Sequence, residues 1–433
     1  MPVPQEWTAI PHGEAGSAMA GQAWLGDFAD PRLEALVAEA LSGNLGLQAG
    51  MARMEQAMAV ARIEGADRLP SLSISGSAQR SQSYTIFQET PVQTLGNRYE
   101  IGAVASWEID LWGRVRAQAA AANASAAAAR ADYEALRLSL ATRIAQAWFN
   151  AIEARSQEAL ARETVASFES NLTTVEERFR RGLSPALDLR LTRANVATAR
   201  ANYSLQRRLA DTAVRTLEVL LGRYPSAGLV PAEALPRLED GVPSGLPSGL
   251  LDRRPDILAA RQRVVAADAG LIEAQRSLLP AISLTARYGR ASRELDDLLD
   301  DNFDVWSLLG NITAPVFQGG RLRANVDRSN SALAEAMANY QNAVLTSFRE
   351  VESALVGETL LAEQLAAVEL SAEESVGAQQ LAEERYERGL VDIITVLESQ
   401  RRAFNARSAA LAVHNQLLQN RLALYLALGG PFE

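Results

Sequence analysis

Side chains that commonly carry chemistry are scarce in this chain of 433 residues. It has no Cys and no Lys, and its two His, His12 and His414, stand near opposite ends. Without thiols there are no disulfides, thiolate metal ligands or Cys nucleophiles. Two separated His make neither a His cluster nor a triad, and both read as structural. The Gly-x4-Gly-Lys-Ser/Thr phosphate loop cannot exist without Lys. Glu108 and Asp110 lie two apart on one strand face, but no partner groups suggest an acid–base pair. No catalysis, metal or cofactor is assigned. What remains is ionic. Glu294, Asp296, Asp297, Asp300, Asp301 and Asp304 form an acidic loop, read as a solvated loop with a cation-attracting mouth as the alternative. Glu398 and Arg401 are in contact range on a helix. Arg181-Gly182-Leu183-Ser184-Pro185 and Arg388-Gly389-Leu390-Val391-Asp392 each put Gly where a helix can end at positive φ.

Composition narrows the class further. The net charge is −10, from 52 acids against 42 bases, all Arg. No window is basic enough for a nucleic-acid footprint. Hydrophobic residues are 48% and charged residues 22%, the balance of a folded chain. No apolar run reaches the roughly 18 residues of a spanning helix, and no signal peptide is visible.

The elements that must position these residues come twice. Glu177-Arg178-Phe179-Arg180-Arg181-Gly182-Leu183 returns as Glu384-Arg385-Tyr386-Glu387-Arg388-Gly389-Leu390, 207 residues later. Tyr133 and Tyr340, Gly113-Arg114 and Gly320-Arg321, and Leu221-Gly222 and Leu428-Gly429 match at the same offset. Dispersed matches in one order argue for two structural copies within one fold. Asp30-Pro31 opens a helical pattern running to about Arg68, closed by Leu69-Pro70. Leu72, Ile74, Gly76 and Ala78 then alternate with Ser71, Ser73, Ser75 and Ser77, a strand period. A polar loop is expected over Gln82–Asn97. A second strand carries Tyr99, Ile101, Ala103, Ala105, Trp107, Ile109 and Leu111 on one face. From Arg114 to Arg181 there is no Gly or Pro, which predicts a helix of about 100 Å at 1.5 Å per residue. A tight turn returns a second helix to about Leu221. The second half repeats the plan: a helix from Pro255 to Leu279, strands over Ile282–Tyr288 and Val305–Phe317, a helix over Arg321–Arg388, and a return to Leu428. The divisions are an N-terminal extended segment (1–30), repeat 1 (31–222), a Pro/Gly/Ser-rich connector (223–250), repeat 2 (251–429) and a tail (430–433).

Four strands cannot close a barrel, since the smallest membrane barrels need eight. Each is about long enough to cross a bilayer when tilted, and an apolar face opposite a small polar face suits lipid outside and water inside. Three copies supply twelve strands and twelve helical columns. The inference is a trimeric tube, part β-barrel and part α-barrel. A soluble helical scaffold stays open, because half-buried strands alternate in the same way.

Several motifs resemble the outer-membrane factors of tripartite efflux pumps, the TolC-like family, and most closely its NodT-type lipoprotein branch. They are Trp107-Glu108-Ile109-Asp110-Leu111-Trp112-Gly113-Arg114, Arg253-Arg254-Pro255-Asp256-Ile257, Ala314-Pro315-Val316-Phe317-Gln318-Gly319-Gly320-Arg321, and Val396-Leu397-Glu398-Ser399-Gln400-Arg401. The resemblance covers nearly the whole chain, and together these motifs are highly specific. The resemblance implies a mostly α fold with membrane β: a trimeric, 12-stranded barrel, four strands per chain, in the Gram-negative outer membrane. A long periplasmic α-helical barrel would continue it, with the connector in the equatorial region. The implied function is a passive exit duct for drugs or other small molecules. The implied partners are two further copies, a periplasmic adaptor (membrane-fusion protein), an inner-membrane RND-type pump and outer-membrane lipid. A protein-secretion duct of the same fold is the alternative. The resemblance places adaptor docking at the two tips, Arg181 to Pro185 and Arg388 to Asp392; plain hairpin turns are the other reading. It places a periplasmic gate at Thr395 and Glu398, with Asp188 the repeat copy of Thr395, Arg401 beside Glu398, and Ile394 as an apolar constriction. A solvated face with an ordinary i,i+3 pair is the other reading. Leu191, where Glu398's copy would be, departs from the pattern. Trp107, Trp112 and Trp306 are expected as membrane-interface anchors or as side chains buried between subunits. The NodT branch starts its mature chain with an acylated Cys; this chain starts Met1-Pro2 without one. That implies a trimmed or engineered start, and lipidation is not inferred.

Overall fold

A computed structural model describes Trp7 and residues 24–87, 90–238 and 249–430. His12, most of the N-terminal segment, connector residues 239–248 and tail residues 431–433 lie outside the described residues.

After a short 3-10 turn at Trp24–Phe28, α1 spans Pro31–Gly43 and α2 spans Leu45–Ala66. The continuous helix expected over 31–68 is therefore two helices. Asn44 breaks it in an extended conformation (φ −71°, ψ 122°). Its amide donates to the Leu220 carbonyl at 2.7 Å while its oxygen accepts from Leu47 N at 2.9 Å, which caps the restart. At the start of α1, Asp30 accepts from Arg32 N at 2.9 Å and from Leu33 N at 3.3 Å, and Pro31 occupies the first turn.

Strands β1 (Ser71–Phe87) and β2 (Thr90–Glu108) follow. They pair antiparallel from Ser71↔Ser106 to Phe87↔Thr90, so the expected loop over 82–97 is a continuation of the hairpin. The loop reading failed because polar and apolar residues mix on both faces there, Gln82 and Gln93 beside Tyr84, Ile86 and Leu95, and Val92 among Ser83, Thr85 and Thr94, while the backbone ladder goes on. β2 ends at Glu108 rather than Leu111, because the Asp110 carboxylate turns to accept Val115 N at 3.1 Å and Arg116 N at 2.9 Å. That cap opens α3, Arg114–Arg180. Next come α4 (Ala186–Leu220), the short α5 (Leu250–Arg253) and α6 (Pro255–Arg276). β3 (Ala281–Ser292) and β4 (Asp304–Thr313) flank two 3-10 turns in the acidic loop. β4 stops four residues before the expected Phe317, at the last residue paired with β3, Thr313↔Ala281. α7 (Arg321–Glu387) and α8 (Ile393–Leu428) close the chain. The 67 residues of α3 make a helix of about 100 Å.

The backbone divides into two compact units, Met1–Met51, Asp132–Leu258 and Asn342–Glu433 in one, Ala52–Ala131 and Ala259–Gln341 in the other. Both sequence halves contribute to each. In the first unit the core gathers Trp24, Phe28, Trp148, Phe149, Ile152, Leu217, Leu418 and Tyr425. Trp24 stacks on Tyr425 at 5.6 Å and Phe28 meets Phe149 at 5.1 Å. Trp148 Nε1 donates to Asp30 at 2.6 Å, tying the α1 cap to this core. Arg421 pairs with Glu358, and the Tyr425 hydroxyl donates to Asp27; burial pushes that hydroxyl's pKa up. His414 Nε2 donates to the Pro236 carbonyl at 3.0 Å, a structural bond. Residues 223–238 hold no helix or strand. The buried Glu218 anchors them by accepting Ala227 N at 2.7 Å, Gly228 N at 2.8 Å and Leu229 N at 3.1 Å. Burial acts to raise that carboxyl's pKa, and these N–H groups outweigh it and hold it low.

The second unit carries a four-stranded antiparallel sheet in the order β1-β2-β3-β4. Among the described residues nothing pairs with the outer edges of β1 and β4.

Candidate functional site

Three features bear on function: the two helical turns, the ion cluster beyond the second turn, and the two faces of the sheet.

The turns are built alike. At the end of α3, Gly182 (φ +73°) donates to Phe179 O and Leu183 N donates to Arg178 O, both at 2.9 Å. At the end of α7, Gly389 (φ +74°) donates to Tyr386 O and Leu390 N to Arg385 O, again at 2.9 Å. This pairing of a 6→1 with a 5→2 bond is the Schellman motif, which satisfies the last carbonyls of a helix. Arg181 and Arg388 lie 3.9 Å and 3.8 Å from Glu177 and Glu384. Leu183 and Leu390 project into solvent, 64% and 69% exposed. Ser184 is buried, and Pro185 stands at the N-cap of α4. Behind the turns Val175, Ala382, Tyr386, Ile393, Val396 and Leu397 form one cluster, with Val391 and Leu191 packed against it. Leu191 thus does apolar packing at the position where a repeat copy of Glu398 would stand.

The α8 start brings some of the predicted gate residues together. Asp392 caps the helix, accepting Thr395 N at 3.0 Å and Thr395 Oγ1 at 2.8 Å. The Thr395 N–H, then its hydroxyl, hold the Asp392 carboxyl below its usual pKa. Glu398 accepts from Arg401 Nη2 at 2.8 and 2.9 Å and from Arg401 Nε at 3.1 Å. It also accepts from Arg402 Nε at 2.9 Å. Arg401, and after it Arg402, hold the Glu398 carboxyl below its ordinary pKa. Ile394 is exposed. Asp188 sits half-buried in the first turn of α4, its carbonyl accepting from Thr192 at 2.8 Å. Among the described residues no hydrogen bond or ion pair joins it to the Glu398 pair.

Sequence reasoning missed Arg402, although the i,i+4 spacing from an acid to a base was its signal. It also missed Gln400, which is buried. Its amide donates to Ser167 Oγ at 3.0 Å and to Glu383 at 2.8 Å, joining α3, α7 and α8 behind the ion cluster.

The sheet separates its two faces. Leu72 lies opposite Ala105, Ile74 opposite Ala103, Ala286 opposite Leu308 and Tyr288 opposite Trp306. The register puts Ser71, Ser73, Ser75, Ser106, Thr285, Arg287, Ser307 and Asn311 on the reverse face. Leu72, Ile74, Tyr288, Trp306, Leu308 and Ile312 are all exposed in the single chain. Along β2 the apolar positions run from Tyr99 to Trp107, about 27 Å at 3.4 Å per residue. That approaches the ~25 Å apolar band of outer-membrane barrels once strand tilt is allowed for. Trp107 Nε1 donates to Arg68 O at 3.1 Å and Trp112 Nε1 to Pro280 O at 2.7 Å, both at the sheet end that leads into helices. Trp306 lies toward the other end.

The acidic loop is tied internally. Arg290 pairs with Asp301 and, at 3.0 Å, with Asp304. Asp297 accepts from Ser292 at 2.6 Å, and Asp300 accepts Asn302 N at 3.0 Å. Among the described residues no group of His, Cys, Asp and Glu could hold a metal ion, and no helix is long and apolar enough to cross a membrane.

Comparison with known proteins converges. The Outer membrane efflux protein family model matches residues 36–223 and 246–430. Outer membrane protein OprJ of Pseudomonas aeruginosa is 32% identical, over 100% of this chain and 91% of its own. The solved outer-membrane channel OprN superposes with a TM-score of 0.93 at 27% identity, over 100% of this chain and 97% of its own. The CmeC outer membrane channel of Campylobacter jejuni gives 0.91 at 26% identity, over 100% and 94%. OprN and CmeC are outer-membrane channels. The fold is TolC-like, with four membrane strands and a set of long helices built from two repeats. The chain is a member of the outer membrane efflux protein family.

Proposed function

We propose that three copies of this chain form the outer-membrane exit duct of a tripartite, RND-type efflux system, passively conducting drugs or other small molecules. The two-faced sheet with both edges open carries this reading. An exposed apolar face needs lipid, and unpaired edge strands need partners. A ring of three sheets supplies both, with twelve strands and a polar bore. Repeats 31–222 and 251–429 then each give two strands and two long helices, with 223–250 as the equatorial connector. Trp107, Trp112 and Trp306 sit at the lipid interface. The turns Arg181 to Pro185 and Arg388 to Asp392 meet the periplasmic adaptor, which links them to the inner-membrane pump. Glu398, Arg401 and Arg402 line the periplasmic gate with Thr395, Ile394 and Asp188. The pump supplies the energy, and the duct performs no catalysis.

The absence of Cys from this chain makes a direct test simple. Cys is placed at Ser71 or Ser73 on the β1 edge together with Cys at Asn311 or Thr313 on the β4 edge. Mild oxidation should give a covalently closed trimer and no longer ladder. Absence of crosslinks in every combination, in a protein that stays dispersed without detergent, would favour the soluble scaffold and overturn the duct.

A further inference from the structure

We infer that the bore of the β-barrel carries a cationic filter, built by Arg98, Glu100 and Arg287, which makes the duct favour anions at the level of the membrane. The inference rests on the trimeric duct proposed above and adds a specificity-determining site to it. The register puts Arg98 and Glu100 of β2 and Arg287 of β3 on the polar face. Arg98 pairs with Glu100. Arg287 Nη1 approaches the other Glu100 oxygen at 3.9 Å. The glycine pair Gly102↔Gly289 lies between them in the register. A Cβ on Gly102 would stand 2.8 Å from Tyr288 O, and one on Gly289 only 2.2 Å from Ile101 O. Both strands therefore approach too closely for any side chain, and the notch this leaves lets Arg287 reach toward Glu100. A cavity of about 220 Å³ opens over this group, with Ser75, Ser77 and Ser307 among its walls.

Charge decides the sign. The polar face of the strands also carries Glu108, but Arg114 neutralises it with bonds of 3.0 and 2.8 Å. Arg290, which also lines the cavity, is held by Asp301 and Asp304, and its register places it on the reverse of the polar face. On the polar face itself one carboxylate, Glu100, faces two guanidiniums, Arg98 and Arg287, a surplus of one positive charge per subunit. Three-fold symmetry turns it into a cationic belt. Rings of like charge in a narrow bore enrich the opposite ion. Three unit charges acting across roughly 10 Å of electrolyte near 0.1 M salt shift the anion-to-cation permeability ratio by about threefold.

The test is the reversal potential of purified trimers in planar bilayers under a roughly tenfold KCl gradient at low ionic strength. Arg287→Gln and Arg98→Gln should each lower the chloride-to-potassium permeability ratio about threefold, Arg287→Lys should preserve it, and Glu100→Gln should raise it. This opposite sign for Glu100→Gln excludes a general loosening of the barrel. Conducting trimers whose ratio is unchanged by all three neutralisations would overturn the filter and leave the duct standing. Wild-type protein that inserts without conducting would overturn the duct, and the filter with it.

Discussion

Replacing Glu398 with Gln removes one charge from each subunit and keeps the shape. In the structure this carboxylate is shared by Arg401 and Arg402. The cluster therefore carries a net +1 per subunit, and Gln makes it +2. Self-repulsion scales with the square of the charge, so across a three-fold ring it rises about fourfold. If the ring lines the gate, its helices should separate and single-channel conductance should rise about twofold at 0.1 M KCl. The effect should shrink toward nothing at 1 M KCl, where the screening length falls from about 10 Å to about 3 Å. Acid should mimic the variant. The folded-state Glu398 pKa is depressed, so the pairing is complete above the ordinary carboxylate value and is lost only as pH falls through the depressed one. Conductance should therefore stay flat between pH 7 and about pH 5 and rise below about pH 4, and the variant should lack that rise. Planar-bilayer recording reads all of this. Equal conductance of wild type and variant at low salt, with identical pH profiles, would remove Glu398 from the gate.

Other perturbations test the scaffold. Gly289→Val drives a Cβ into the Ile101 carbonyl and should abolish SDS-resistant trimers, whereas Gly310→Ala, with open space around it, should assemble normally. Arg254 is buried and bonds Asp256, Glu350 and the Ala427 carbonyl. Its partners are partly hydrated, so Arg254→Ala should cost about 2 kcal/mol rather than the full price of a buried pair, read as a lower thermal midpoint in detergent. Asp30→Ala removes an N-cap and strands the indole N–H of Trp148 in the core. A loss of about 2 kcal/mol is expected, and Asp30→Asn should recover most of it. A Trp148 fluorescence spectrum that does not change in Asp30→Ala would contradict the tie.

The long helices were legible because nothing between Arg114 and Arg180 can stop one, and because the Gly at each turn is the residue a Schellman ending requires. The sheet faces were legible wherever lipid-side and water-side residues differ. The outer part of the β1–β2 hairpin was not, since beyond Arg80 and Asn97 polar residues occupy both faces and the period of two fades. The break at Asn44 was hidden for another reason. The apolar pattern continues across it, and what ends α1 is a bond to Leu220, 176 residues away. Among the residues expected at a gate, the pairing of Glu398 with Arg401 could be read from local spacing. The Gln400–Glu383–Ser167 network could not, because it joins three helices. Asp188 was singled out by the repeat offset alone, and repeat symmetry predicts a backbone position better than a side-chain partner.

The unpaired margins of β1 and β4 make each subunit depend on its neighbours for a closed wall. A protomer left alone in a bilayer would expose a row of N–H and C=O groups to hydrocarbon, so insertion and association should be a single event. Cells making equal amounts of native subunit and of one with a blocked margin would then retain intact pores in only about one assembly in eight. A damaged allele would thus be dominant over a healthy one, through poisoning of mixed rings rather than through shortage.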